Sequence, residues 1–179
     1  PGVTRNYPHT PGIDAVGIIE ESNNSSFKEG DSVIVTGYDL GMNTAGGFGQ
    51  YIRVPSSWAI PLPNGLEEKD SMCLGTAGLT AGLSVFALDK HNSHQGFDGT
   101  SSIVSGSTGG VGSIALMLLS KLGSNVTAIT GKDSQEELLK NLGASEVVSR
   151  EGLSEMTRIP VGKSIWDFGV DVVSGNILT

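Results

Sequence analysis

The feature that most constrains the fold of this chain is a glycine-rich turn at residues 105–112. It follows an apolar strand pattern at 102–105 and opens a helix pattern that starts at Val111 and ends before Gly123. Glycines permit a tight turn and a close approach of the backbone to another group. The N–H groups and positive dipole end of a helix N-terminus favour anions such as a pyrophosphate. The combination of strand, turn and helix therefore predicts a dinucleotide-binding turn, with a glycine-rich turn without a ligand as the alternative.

Strand and helix patterns alternate after residue 98, which predicts a parallel sheet with helical crossovers. The predicted strands are at 102–105, 126–130, 146–149 and 170–173. A doubly wound nucleotide domain normally has six strands. The sequence therefore predicts the first half of such a domain.

The first 64 residues have the pattern of an all-β region. Short strands are predicted at 13–19, 32–35 and 50–54, with Gly, Pro, Asn and Ser clusters between them. A helical pattern follows from Leu66 to Leu88, and the polar stretch 89–98 is predicted to link two units. We therefore predict an α/β chain with an all-β part, divided into domains at 1–89 and 90–179.

The end of the second strand of the parallel sheet decides which dinucleotide is expected. An acid at this position, ~20 residues beyond the glycines, would bind the ribose 2′-OH of NAD. The sequence has Thr130-Gly131-Lys132 there, a small hydroxyl and a cation that suit a 2′-phosphate. This residue choice favours NADP(H).

Three neighbouring charges leave alternatives open. Asp133 is an acid close to this position, but the spacing from Asp133 to Glu136 is that of a helix capping box, which would occupy its carboxylate. Lys132 has the alternative of a solvated surface lysine. Arg150, just after the third strand, could stack on adenine, reach the phosphate or remain a surface residue.

Composition excludes several classes of protein. The net charge of −8 argues against a nucleic-acid partner, and no apolar stretch was expected to span a membrane. We predict a soluble, cytoplasmic protein. Cys73 and the three histidines have no spacing typical of a zinc site, so no metal is predicted, and Cys73 is expected to be a buried apolar thiol.

Several motifs occur in an order that resembles the medium-chain dehydrogenase/reductase superfamily. They are Pro8–Gly17, Phe27–Val33 and Gly75–Ala81. The glycine turn resembles the zinc-independent quinone oxidoreductase branch, and within it the acrylyl-CoA reductase type. Where zinc-dependent relatives carry Gly-His-Glu, this chain has Gly12-Ile13-Asp14.

This resemblance implies a partial GroES-like β-barrel domain followed by a partial Rossmann domain, with NADPH in the cleft between them. The cofactor-binding residues it implies are Thr76, Thr80, Ser107, Thr108, Gly109, Gly110, Val111, Thr130, Gly131, Lys132 and Arg150. Thr108 to Val111 would hold the diphosphate, and 130–132 with Arg150 the 2′-phosphate. Thr76 and Thr80 would lie near the nicotinamide, with small-residue helix packing as their alternative.

The resemblance also implies an activity. NADPH would deliver hydride to an enoyl-CoA thioester or a quinone, and the enzyme would be a homodimer. No residue can be named as the proton donor, so the catalytic residues are unknown. Because the chain begins without methionine and carries only four of the six usual strands, it is expected to be truncated at both ends. A non-catalytic NADPH-binding protein and an inactive fragment of a reductase are the alternatives.

Overall fold

The computed structural model describes residues 4, 6–156 and 164–177, without the side chains of residues 133 and 176. The chain forms two compact units, residues 1–79 and 80–179, which divide within one long helix. The first contains an antiparallel sheet and the second a parallel sheet. The predicted fold class is therefore confirmed, while the domain division at residue 89 stays a prediction.

The first unit contains a three-stranded antiparallel sheet in the order β1-β2-β3. The strands are β1 (Asp14–Ile18), β2 (Ser32–Thr36) and β3 (Ala59–Pro61). Val33, Val35 and Ala59 of this sheet are buried together with Leu40. Alternation along β2 explains this, since successive side chains of a strand point to opposite faces.

The predicted strand at 50–54 is wrong. These residues belong to no strand of the described structure, and the third strand of the sheet forms at Ala59–Pro61 instead. β3 pairs with β2 through Val33–Pro61, Ile34–Ile60 and Val35–Ala59. A strand requires a pairing partner as well as β-branched residues, and the local pattern at 50–54 cannot report the partner.

Helix α1 (Glu68–His91) is broken at Gly75, whose backbone lies at φ 48° and ψ −150°. By length and composition α1 could cross a membrane, with a mean hydropathy of 1.5 over 18 residues. The sequence pattern predicts no such stretch. However, the break leaves helical pieces at 68–74 and 76–91, each shorter than the ~20 continuous residues a span needs. A core helix of a soluble protein passes the same test.

The second unit contains a four-stranded parallel sheet in the order β6-β5-β4-β7. Its strands are β4 (Ser101–Val104), β5 (Asn125–Thr130), β6 (Glu146–Ser149) and β7 (Phe168–Val170). Ser102, Val104, Val126 and Ala128 are fully buried in the two central strands. The predicted parallel sheet is confirmed, with its last strand slightly earlier than expected.

In the described part of the connections between these strands lie three helices: α2 (Gly110–Lys121), α3 (Glu136–Asn141) and α4 (Arg150–Met156). Leu116, Leu119 and Leu139 are fully buried in the core of the unit. After α2, Gly123 has the positive φ of 95° expected of a helix-ending glycine.

One local prediction in this unit is wrong. The stretch 89–98 is not simply a polar linker, because α1 continues to His91 and Phe97 is 2% exposed in the core. A tertiary contact there replaces what the polar pattern suggested. A 3₁₀ turn occupies 133–135, and α3 begins at Glu136 with Gln135 as its N-cap. Since the side chain of residue 133 lies outside what the structure describes, the capping box stays a prediction.

Candidate functional site

The parallel sheet brings the glycine turn, residues 130–132 and Arg150 to one edge. The chain passes outward from β4 to β5 and β6 and then returns to the other side of β4 as β7. In open α/β sheets, ligands bind beyond the carboxyl ends of the strands at the point where the strand order reverses. The turn that follows β4 lies at this point.

Two glycines of the turn hold backbone positions that a side chain could not occupy. Gly106 has φ +58°, and a Cβ on it would lie 2.7 Å from Val172 Cγ2 and 2.9 Å from Val173 Cγ2. A Cβ on Gly112 would lie 2.3 Å from the Gly106 carbonyl oxygen. The first turn of α2 therefore packs directly on the backbone of the loop that precedes it.

The predicted diphosphate-binding residues differ in exposure and in whether their N–H groups are already hydrogen-bonded within the protein. Ser107 is fully buried; its N–H donates to the Ile129 carbonyl at 3.1 Å and its hydroxyl to the Val104 carbonyl at 2.7 Å. Gly109 is exposed and precedes α2 as its N-cap, while Val111 lies in the first turn, whose N–H groups have no acceptor within the helix. This open helix end is a cradle that fits a diphosphate.

The next two strands of the sheet end in a second group of predicted residues. Thr130 is 3% exposed, and its hydroxyl accepts a hydrogen bond from the Lys132 N–H at 3.1 Å. Arg150 begins α4 directly after β6, and its side chain lies over Gly131: a Cβ on that glycine would be 3.1 Å from Arg150 Nε. Lys132 and Arg150 are both exposed. Two exposed cations thus follow the ends of β5 and β6.

Asp171 is a residue at this edge that the sequence analysis did not single out. It follows β7, and its carboxylate accepts hydrogen bonds from the Ser105 hydroxyl and from the Ser174 N–H, the latter at 2.9 Å. The hydrogen bond from Ser105 lowers the pKa of Asp171 against the opposing effect of burial, and donors in its own loop lower it further. An acid directly after a strand at the site edge was the sequence signal that could have found it.

Thr76 and Thr80 both lie in α1, after its break. The Thr76 hydroxyl donates to the Asp14 carboxylate at 2.8 Å, and the Thr80 carbonyl accepts from the Ser84 hydroxyl at 2.9 Å. A Cβ on Gly75 would lie 2.7 Å from the same Asp14 carboxylate. The acid that replaces the glutamate of the zinc motif is therefore bound to a predicted site residue.

Cys73 is exposed, so the prediction of a buried thiol is wrong. Residues two apart on a helix are separated by about 200° around its axis. Since Ser71 occupies the buried side, Cys73 faces away from it. Within the described ranges, no three His, Cys, Asp or Glu side chains are grouped as metal ligands.

The sequence and the fold both match known proteins. Residues 2–64 match the family described as the alcohol dehydrogenase GroES-like domain. Acrylyl-CoA reductase AcuI of Ruegeria pomeroyi is 41% identical over 99% of this chain and 53% of its own length. YhfP of Bacillus subtilis, which is named as a quinone oxidoreductase, is 44% identical over 98% of this chain and 53% of YhfP's own length.

Crystal structures with bound dinucleotides have the same fold. YhfP with NAD bound has a TM-score of 0.92 at 44% identity and covers 99% of this chain and 53% of that one. YhdH of Escherichia coli with bound NADPH has a TM-score of 0.91 at 38% identity, covering 99% and 54%.

In sequence and in fold, with its two sheets and its glycine turn, the chain is similar to proteins of the medium-chain dehydrogenase/reductase superfamily. Its similarity to acrylyl-CoA reductases and to the quinone oxidoreductase branch agrees with the motifs of the sequence. The chain spans about half the length of these relatives.

Proposed function

We propose that this chain is part of an NADPH-dependent, zinc-independent oxidoreductase. Its acceptor would be an activated C=C bond, as in an acrylyl-CoA-like enoyl thioester, or a quinone. The observation that carries the proposal is the edge of the parallel sheet, where the open N-terminus of α2 and the cations Lys132 and Arg150 follow neighbouring strands. Homodimer formation and a cytoplasmic location stay predictions.

Each part of this edge suits one part of the cofactor. The N–H groups of the first turn of α2 would bind the diphosphate, and Ser107 would hold the turn in place through its two internal hydrogen bonds. Lys132 and Arg150 would pair with the 2′-phosphate, while Gly131 leaves the room that the arginine side chain uses. The absence of an acid at residues 130–132 supports NADP(H) over NAD(H).

The reaction class is supported by the relatives and by the chemistry of the site. When bound, reduced nicotinamide supplies a hydride. The chain's own contribution would be to bind and orient it, since catalysis of this kind depends mainly on positioning and on stabilising the developing charge. Asp14 would fix the orientation of the Thr76 hydroxyl through the hydrogen bond described above, and only the family resemblance implies that Thr76 lies near the nicotinamide. The branch that this chain resembles uses no zinc, and Ile13 stands where the metal-binding histidine would be.

The cofactor assignment is tested by titrating NADPH and NADH into the full-length protein and its Lys132→Ala and Arg150→Ala variants, following nicotinamide fluorescence. A charged hydrogen bond is worth about 1.5–3 kcal/mol, so each substitution should weaken NADPH binding about 10- to 100-fold. NADH lacks the 2′-phosphate, and its dissociation constant should change less than about twofold.

Lys121→Ala is the matched control, because it also removes an exposed lysine. It is the last residue of α2, about 17 Å along the helix from Gly110, the first residue of that helix. Its NADPH affinity should equal that of the unchanged protein. Equal losses for NADH and NADPH in the Lys132 and Arg150 variants would reject the 2′-phosphate assignment.

The acceptor is tested by following NADPH oxidation with acrylyl-CoA and, separately, with a benzoquinone. Turnover with one of them identifies the acceptor class. Binding of NADPH without turnover of either would reject the reaction and support a non-catalytic NADPH-binding protein.

A further inference from the structure

A serine and an aspartate join the turn after β4 to the loop after β7. β4 and β7 pair in parallel through Ser102–Phe168, Ile103–Gly169 and Val104–Val170. The two chain segments therefore leave the sheet side by side at the same edge. The Ser105 N–H continues the ladder by donating to the Val170 carbonyl at 3.0 Å.

Beyond the ladder, the connection is made by side chains. The Ser105 hydroxyl donates to Asp171 Oδ1 and accepts from the Val172 N–H at 2.9 Å. Asp171 Oδ1 also accepts from the Val173 N–H at 3.3 Å, and Oδ2 accepts from the N–H and hydroxyl of Ser174 at 2.9 and 3.3 Å. We call this pair of residues the Ser105–Asp171 clamp.

The clamp holds the loop where it contacts the glycine turn. The Cβ position of Gly106 is 2.7 and 2.9 Å from methyl groups of Val172 and Val173. The Gly106 carbonyl in turn accepts from the Gly109 N–H at 2.9 Å and lies under Gly112 at the start of α2. A shift of the loop would therefore pass through Gly106 to the N–H groups that open α2.

Building on the proposed function, we propose that Asp171 is a positioning residue for dinucleotide binding: through Ser105 it fixes loop 172–174 against Gly106 and keeps the glycine turn in the conformation that accepts a diphosphate. Both carboxylate oxygens of Asp171 accept hydrogen bonds from these donors. Asp171 therefore affects the bound dinucleotide indirectly, through the conformation of the glycine turn. The lowered pKa of its carboxyl agrees with a charged acceptor at neutral pH. A site organised before the ligand arrives binds more tightly, because less ordering remains to be done on binding.

The structure provides a matched control at the opposite edge of the same two strands. Asp167 precedes β7, and its carboxylate accepts from the N–H and the hydroxyl of Ser101 at the start of β4, at 2.8 and 3.0 Å. This pair also joins β4 to β7, and it lies a strand length away from the glycine turn. It therefore reports what such a link contributes to stability alone.

The experiment compares Ser105→Ala and Asp171→Asn with Ser101→Ala and Asp167→Asn in the full-length protein. NADPH affinity is measured by fluorescence titration and stability by thermal unfolding. We expect similar decreases in Tm for both pairs. The dissociation constant for NADPH should rise about tenfold in the first pair and less than twofold in the second. The double variant Ser105→Ala/Asp171→Asn should bind about as weakly as either single variant, because the two residues act as one unit.

A second measurement does not depend on the cofactor. Without NADPH, amide hydrogen exchange at 108–112 should become at least tenfold faster in Asp171→Asn and stay unchanged in Asp167→Asn. Unchanged exchange, or equal loss of NADPH affinity in both pairs, would overturn the clamp proposal. Faster exchange in a protein that binds no NADPH would retain the clamp as an organiser of the turn, remove its role in binding and reject the proposed function.

Discussion

Replacing Gly112 by alanine should destabilise the second unit by an amount that the geometry allows us to work out. The added Cβ would lie 2.3 Å from the Gly106 carbonyl oxygen, 2.8 Å from its carbon and 3.0 Å from Ser107 Cα. All three atoms belong to backbone, so they cannot move aside as a flexible side chain would. Overpacking of this kind costs up to about 3 kcal/mol. Alanine returns about 1 kcal/mol through its helix preference, which leaves a net loss of about 2 kcal/mol.

The control is Gly82→Ala, in the second piece of α1. Apart from its chain neighbours and the backbone of its own helix, no described heavy atom lies within 4 Å of its Cβ position, so alanine should stabilise the helix by about 1 kcal/mol. Urea unfolding of the two variants should therefore place their free energies of unfolding about 3 kcal/mol apart. If Gly112→Ala is as stable as the unchanged chain, the close packing of α2 on the turn is refuted as the reason for this glycine.

Two further predictions concern charge at the site. Ser101, through its N–H and then its hydroxyl, lowers the pKa of Asp167, as Ser105 lowers that of Asp171. A carboxyl whose folded pKa lies below its unfolded value, about 3.9, stabilises the fold above that pH and loses this contribution as the pH falls through the folded pKa. The urea concentration at the midpoint of unfolding should therefore decrease as the pH is lowered below about 4, and it should decrease less steeply in Asp171→Asn. Identical slopes of midpoint against pH in the two proteins would contradict the hydrogen-bond assignment. Gly131→Val should displace the Arg150 side chain, whose Nε lies 3.1 Å from the Cβ position of residue 131. It should therefore weaken NADPH binding more than NADH binding. Equal weakening of both would contradict a 2′-phosphate role for Arg150.

Much of the fold follows from local sequence. The glycine turn, the strand before it and the helix after it were predicted together, because glycine positions and apolar periodicity are set by neighbours in the chain. The stop of α2 at Gly123 has the same local origin. The NADP(H) preference was inferred from residues 130–132 for the same reason: their place at a strand end is fixed by the strand itself.

The errors occurred where the outcome depended on distant contacts. Residues 50–54 had a strand pattern without a partner, and Phe97 stood in a polar stretch but packs into the core. Cys73 had apolar neighbours in sequence yet lies on the exposed side of α1. In each case the outcome depends on a contact with residues far away in the chain, which the local composition does not encode.

A turn of the phosphate-binding type, its place in the chain and the dinucleotide that its neighbours favour could all be predicted from the local sequence. Tertiary structure decided which residues surround it. Ser105 and Asp171 meet because β7 returns to the side of β4, and Arg150 lies over Gly131 because β6 pairs with β5. These pairs join residues far apart in the chain, and strand pairing, which no local pattern encodes, brings them to the same edge.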